Sequence, residues 1–263
     1  MKMKHLGAAL ALASSGFVYA QDYQFFGDAY YVDLDDLDSE VIGVAAQYYF
    51  NDIASRGPLR EFDYLITETN VYGSLSKLDT PVGSTNITNL GGEVYIGRFL
   101  FGLNHTDFED ADETEVKFGY LFQPNLQADI TLLDSDSPYD FILGATYQHD
   151  MGNNRYLGFR VETDDEIDTV SLESKYFTPM SGGRFLTVYA QLVTSDIDDD
   201  DFLIGSDYYF NTMASVGATV FDGGIGINGS FYFDQNFALS AEYQDADLED
   251  GGNQFTFNAR YQF

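Results

Sequence analysis

Cysteine and tryptophan are both absent from the 263 residues, and histidine occurs only three times. Without cysteine there is no disulfide framework and no thiolate metal site, whatever compartment the chain reaches. Basic residues are scarce: 12 Lys and Arg stand against 43 Asp and Glu, a formal charge of −31. That balance excludes nucleic acid as a partner, because phosphate backbones are held with Lys and Arg. Long apolar runs are missing too. None approaches the roughly 20 residues that a spanning helix needs, so a chain of this kind crosses a membrane only as strands.

What is present begins with an export signal. Lys2, Lys4 and His5 supply a positive end, Leu6–Leu12 a short apolar core and Val18-Tyr19-Ala20 a small-residue cleavage site. Cleavage after Ala20 leaves residues 21–263, with ten basic residues against 43 acidic and a formal charge near −33. Aromatics make up 16% of the sequence, all Tyr and Phe, while 44% is hydrophobic. That mixture suits a thin apolar belt around a wet interior better than a thick core.

The clearest periodicity lies in 253–263, NQFTFNARYQF. Phe255, Phe257, Ala259, Tyr261 and Phe263 fall on one side of an extended chain; Gln254, Thr256, Asn258, Arg260 and Gln262 fall on the other. A soluble sandwich strand alternates in the same way. The aromatic last residue on the apolar face resembles the ending of bacterial outer-membrane barrels.

The same rhythm predicts strands at 23–32, 41–50, about 69–77, 93–96, 99–106, 115–122, 126–132, 141–148, 156–162, 170–177, 185–193, 202–210, 216–220, 225–233, 237–243 and 253–263. Sixteen is even, as a barrel with both termini on one side requires; dropping the hairpin at Gly97-Arg98 gives fourteen as the alternative. The expectation is all-β: one transmembrane antiparallel up-and-down β-barrel of about 16 strands over 21–263. In lipid every backbone group needs an internal partner, so a spanning sheet must close.

Two kinds of connection alternate. Compact turns follow aromatics, as at Tyr48-Tyr49-Phe50, Tyr120-Leu121-Phe122, Tyr176-Phe177, Tyr208-Tyr209-Phe210 and Phe231-Tyr232-Phe233. Acidic stretches such as DFEDADET, DSDSPYD, TDDEID, TSDIDDDD and DADLEDGG make up the other set. An aromatic girdle at the periplasmic rim and solvated outer loops produce that alternation, although Tyr and Phe favour strands anywhere.

Tyr48-Tyr49-Phe50 ends an early tyrosine-rich strand, and Gly57-Pro58-Leu59-Arg60-Glu61 and Leu65 follow it. In this order the residues resemble the general bacterial porins of gammaproteobacteria, Gram-negative outer-membrane proteins in which a Tyr-Tyr-Phe-like run precedes a Gly-Pro-Leu-x-Glu segment. The specific motif covers about twenty residues and the layout covers the whole mature chain. Asp63 departs from the small apolar stretch usual at that place. The resemblance implies an outer-membrane barrel, passive diffusion of small hydrophilic solutes, and the homotrimeric assembly common in the class. Outer-membrane lipid and lipopolysaccharide would surround it.

Parity along each strand places Asp28, Gln47, Lys117, Asp129, Thr146, Arg160, Glu162, Glu173, Lys175, Asp207, Asn228, Ser230, Glu242, Asn258 and Arg260 toward the lumen. The candidate pore-lining charges are thus Asp28, Lys117, Asp129, Arg160, Glu162, Glu173, Lys175, Asp207, Glu242 and Arg260. Lys or Arg on a lipid face near the midplane costs roughly 2 to 4 kcal/mol, which drives those four cations inward. They would set a transverse field across a constriction, or simply pair with carboxylates on neighbouring strands. Acidic mouths raise the local cation concentration within a Debye length of about 8 Å, so mild cation selectivity is expected. Two segments are candidates for folding inward, 51–66 and 79–91; both also read as surface loops. A closed or plugged barrel that binds at the surface through its acidic loops is the alternative function.

Enzymatic chemistry has little support. Gly224-Ile225-Gly226-Ile227-Asn228-Gly229 fits a dinucleotide fingerprint, but no helix follows it. His105 and His149 have no local Ser arrangement. The acidic loops lack the glycine and terminal Glu of an EF-hand, leaving at most weak divalent bridging to lipopolysaccharide. No cofactor is expected.

Overall fold

The computed structural model describes residues 21–108, 111–134, 139–196, 200–246 and 252–263. The expected signal peptide and parts of four acidic connections (DFEDADET, DSDSPYD, TSDIDDDD and DADLEDGG) lie outside the described residues.

Sixteen antiparallel strands pair in sequence order and close into one barrel. They are β1 (Asp22–Leu34), β2 (Ser39–Ala54), β3 (Asn70–Thr80), β4 (Gly83–Ile96), β5 (Phe99–Asp107), β6 (Asp112–Gln123), β7 (Leu126–Leu132) and β8 (Phe141–Gly152). The second half runs β9 (Arg155–Asp164), β10 (Thr169–Met180), β11 (Arg184–Ser195), β12 (Asp201–Tyr209), β13 (Ala214–Phe221), β14 (Gly224–Tyr232), β15 (Phe237–Ala246) and β16 (Gln254–Gln262). β1 and β16 form the closing seam, in register from Phe26↔Gln262 to Leu34↔Gln254. The Phe263 carbonyl accepts the N–H groups of both Gln24 and Phe25 at 2.9 Å. Among the described residues no helix is long and apolar enough to cross a membrane.

The strand count is the expected sixteen, and β7 has the expected bounds. One expected loop is not a loop. Residues 79–80 end β3 and residues 83–91 begin β4, so 79–91 is a tall hairpin turning at Pro81-Val82. It is part of the wall and does not fold inward. The alternation that marks other strands is weak there: Asn86 and Thr88 lie on the outer face beside Leu90, while Ile87 lies on the inner face.

Residues 21 and 263, segment 55–69 and the compact turns share one end of the barrel, called here the terminal end; the described flanks of the acidic connections share the other. Aromatic triplets near the terminal end have two roles because the side-chain period is two. Their flanking rings point outward and pack edge to face: Tyr48 with Phe50 at 5.4 Å, Tyr120 with Phe122 at 5.1 Å, Tyr208 with Phe210 at 5.2 Å and Phe231 with Phe233 at 5.2 Å. The middle residues Tyr49, Leu121, Tyr209 and Tyr232 point inward and are buried.

Candidate functional site: the lumen and segment 55–69

Those inward aromatics carry a segment of the chain. After β2, residues 55–69 leave the wall, cross the lumen at the terminal end and return to start β3. Two apolar clusters hold it. Leu59 packs among Tyr23, Phe26, Tyr49, Ile53, Tyr232 and Ala238, with Phe62 edge-on to Tyr23 and Phe26. Tyr64 packs against Tyr156, Phe177, Phe185 and Tyr209. Two glycines make these approaches possible. A Cβ on Gly158 would lie 2.2 Å from the Tyr64 ring, so only a bare backbone admits it; Gly57, at φ +132°, lies against Phe185.

Polar contacts pin the same segment to distant strands. Glu61, 1% exposed, accepts a hydrogen bond from the Tyr156 hydroxyl on β9, pairs with Lys175 Nζ on β10 at 2.8 Å and accepts from Thr187 Oγ1 on β11 at 3.4 Å. Gln148 on β8 accepts from the backbone N–H groups of Tyr64 at 2.6 Å and Leu65 at 3.2 Å, and donates to Asp63 at 2.6 Å. Gln262 on β16 donates to the Leu59 carbonyl at 3.2 Å. Arg56 donates through Nε to Asp63 at 2.8 Å and pairs with Asp150 at 3.0 Å. Burial opposes the Arg56 charge, but these two carboxylates outweigh it and hold its pKa above the ordinary value. Burial, reinforced by the Glu173 carboxylate, pushes the Tyr64 phenol well above its usual range.

The wall residues singled out from the sequence lie on the interior face, and most form pairs. Arg260 makes a two-pronged contact with Asp28, both bonds at 2.9 Å. Arg160 donates to Thr146 at 2.6 Å, to Glu162 at 2.5 Å and to the buried Asp129 at 3.4 Å. Lys117 reaches Glu93 at 3.1 Å. Glu173 accepts from the Tyr64 hydroxyl at 3.4 Å, and Glu242 accepts from Gln244 at 2.7 Å. Asp207, 8% exposed, makes none of these pairs. The four wall cations Lys117, Arg160, Lys175 and Arg260 therefore touch carboxylates; Glu173 and Glu242 make no ion pair among the described residues but lie within the field of Arg160 and of Arg60 from the crossing segment.

Several residues of the site escaped the sequence reading: Arg56, Tyr64, Glu93 and Gln148. Parity extended to the ends of β4 and β8 would have found Glu93 and Gln148, but nothing local signals their partners. Between segment 55–69 and the wall of β1–β4 lies a cavity of about 440 Å³, bordered by Asp28, Gln47, Tyr49, Arg60, Lys175 and Arg260 among others. His105 and His149 sit on the outer face beside Thr114 and Tyr147, away from the lumen.

Over residues 3–263 the sequence matches the family model described as "Putative general bacterial porin". The chain belongs to this family. No curated protein matches the porin in sequence. Its fold is similar to the crystal structure of the Acinetobacter baumannii outer membrane protein Omp33, with TM-score 0.57 and 18% identity, covering 93% of this chain and 100% of that one. It is also similar to a triple mutant of the Rhodopseudomonas blastica porin, with TM-score 0.53 and 13% identity, covering 91% and 99%. At these identities the likeness is one of fold.

Proposed function

We propose that this porin sits in the bacterial outer membrane, after cleavage at Ala20, and passes small hydrophilic solutes and ions by passive diffusion with a mild preference for cations. The observation that carries this reading is the interior of the barrel. A wall of 16 strands is too wide for side chains to fill, and the inner face bears charged and amide side chains where the outer face bears Ile, Val, Leu and Phe. The path runs through the cavity between segment 55–69 and β1–β4. The preference for cations rests on the excess of carboxylates over Lys and Arg on the inner face and at the acidic mouth, with Arg160 near Glu173 and Arg60 near Glu242 offsetting part of it. The chain acts as a channel rather than a catalyst, with lipid and lipopolysaccharide around it and a homotrimer as its assembly.

One observation favours a second reading. Segment 55–69 spans the lumen and is bonded on several sides, as in a plugged barrel that acts through its acidic surface connections. Single-channel conductance of purified, heat-modifiable protein in a planar bilayer separates the two. Stable steps, with a cation-biased reversal potential across a KCl gradient, support diffusion; no steps from demonstrably inserted protein support the plugged form.

A further inference from the structure

The inner wall is charged on one side and nearly neutral on the other. From β7 to β10, Asp129, Arg160, Glu162, Glu173 and Lys175 share the interior face. Over β2–β5 the one interior charge among the described residues is Glu93, and Lys117 pairs with it at 3.1 Å. The middle of this neutral wall carries Ala45, Ser74, Ser76 and Asn89 between two tyrosine rings.

Both rings lie flat on glycine. Tyr72 on β3 stands opposite Gly91 on β4, where a Cβ would meet the ring Cζ at 2.5 Å and the ring Cε2 and hydroxyl oxygen at 2.6 Å. Tyr30 on β1 stands opposite Gly43 on β2, where a Cβ would meet the ring Cζ and the hydroxyl oxygen at 2.5 Å. A ring laid against the sheet covers backbone with one face and turns the other to the lumen. Gly43 lies four residues before Gln47, the neighbour of Tyr72, so Tyr30 sits about 13 Å further toward the acidic end along the strands.

Tyr72, Ala45, Ser74 and Asn89 also border the cavity of about 440 Å³, and Phe62 borders it from segment 55–69. The hydroxyls of Tyr30, Tyr72, Ser74 and Ser76 make no hydrogen bond among the described residues. Asn89 commits its Nδ2 to Asn104 and Thr106 at 2.8 Å each, which leaves its Oδ1 as an acceptor. The ions at the cavity are already matched: Arg260 with Asp28, Lys175 with Glu61 and Asp63 with Arg56, while Arg60 faces Glu242. A charged solute therefore gains little there. An apolar one would strip water from the hydroxyls without replacing its hydrogen bonds.

We propose that the neutral wall of β1–β4 is a binding track for uncharged sugars, with Tyr30 as the outer platform and Tyr72, across the cavity from Phe62, as the inner one. This names a solute class for the proposed diffusion path and rests on that reading. A pyranose presents a flat face of C–H bonds, which the electron-rich face of an aromatic ring attracts. Its hydroxyl edge meets Ser74, Ser76 and Asn89. Ions are left to the charged wall.

Saturation-transfer difference NMR of maltose with the folded, heat-modifiable mature protein tests binding without requiring conductance, in a detergent that has no sugar headgroup. The expected result is saturable transfer to the ring C–H protons. At equal concentrations glucose should receive more transfer than glucuronate or glucosamine, which differ from it by a charge. Tyr72→Ala should weaken maltose binding about tenfold, while Tyr72→Phe, which keeps the ring, should stay within about twofold of wild type. In planar bilayers maltose should reduce the open-channel current of wild type and not of Tyr72→Ala. Transfer without conductance steps would remove the diffusion reading and leave the track; steps without transfer would do the reverse. Equal binding by Tyr72→Ala and wild type overturns the proposal, as does stronger transfer to either charged sugar than to glucose. Should Tyr72→Ala not fold, Ser74→Leu, which puts an apolar side chain into the cavity beside that ring, decides alone: maltose binding equal to wild type overturns the track.

Discussion

The two ends of the barrel interior are built on opposite principles. At the terminal end, inward Tyr and Phe residues, with Lys175 and Thr187 holding the buried Glu61, grip a crossing segment. Toward the other end the inner face is polar, its cations are paired with neighbouring carboxylates, and the connections are acidic. The first arrangement is one of packing and fixes a shape; the second is one of charge. On the proposed function, size discrimination would fall to the terminal end and charge preference to the middle and the acidic mouth.

Removing the packed element breaks the contrast outright. With residues 56–66 replaced by a short Gly-Ser connection, single-channel conductance should rise several-fold while heat-modifiable migration stays intact; unchanged conductance would show that the segment does not narrow the path. Glu61→Ala is a smaller blow. It strips the buried partner from Tyr156, Lys175 and Thr187, and breaking a buried charge pair costs roughly 3 to 5 kcal/mol. Trypsin should then cut at Arg56 or Arg60 in intact barrels far faster than in wild type.

The charged end is sharpened by reversal. Glu173→Lys with Glu242→Lys should move the reversal potential across a KCl gradient several millivolts toward anion preference, with little change in conductance. A potential that does not move would detach selectivity from these carboxylates. The smallest effect comes from Tyr64. Its phenol is held neutral in the docked segment, with its pKa above that of an exposed tyrosine. The docking stability it contributes is full below about pH 10 and falls as pH rises above that value. Open-channel noise should therefore be constant through neutral pH, increase above about pH 10, and lose that increase in Tyr64→Phe.

Much of this architecture was legible because a membrane barrel writes its two faces into alternate residues. Lys117, Arg160, Lys175 and Arg260 were readable as interior from parity and the cost of charge in lipid. The first half of β4 was not, since Asn86 and Thr88 put polar groups on the outer face and removed the contrast that parity needs. Segment 51–66 was one of two candidates for folding inward, and its sequence alone could not separate it from 79–91; residues 51–54 instead finish β2, and the crossing segment is 55–69. Its partners Gln148, Tyr156, Lys175 and Gln262 come from β8, β9, β10 and β16, and no local pattern encodes contacts across so much chain. Gly226, which read as part of a nucleotide fingerprint, is instead the bare spot under Thr219.

The β1–β16 seam also sets an order in time. Asp28 pairs with Arg260 both along the backbone and through their side chains, so the ring can be completed only after the final strand has arrived. Until then β1 and β15 present open edges, which are templates for pairing with other chains, and contacts between such distant residues form slowly. A nascent molecule therefore spends its most aggregation-prone period waiting for residues 254–262. Substitutions that weaken this last strand should reduce the yield of assembled barrels far more than they lower the stability of those already closed.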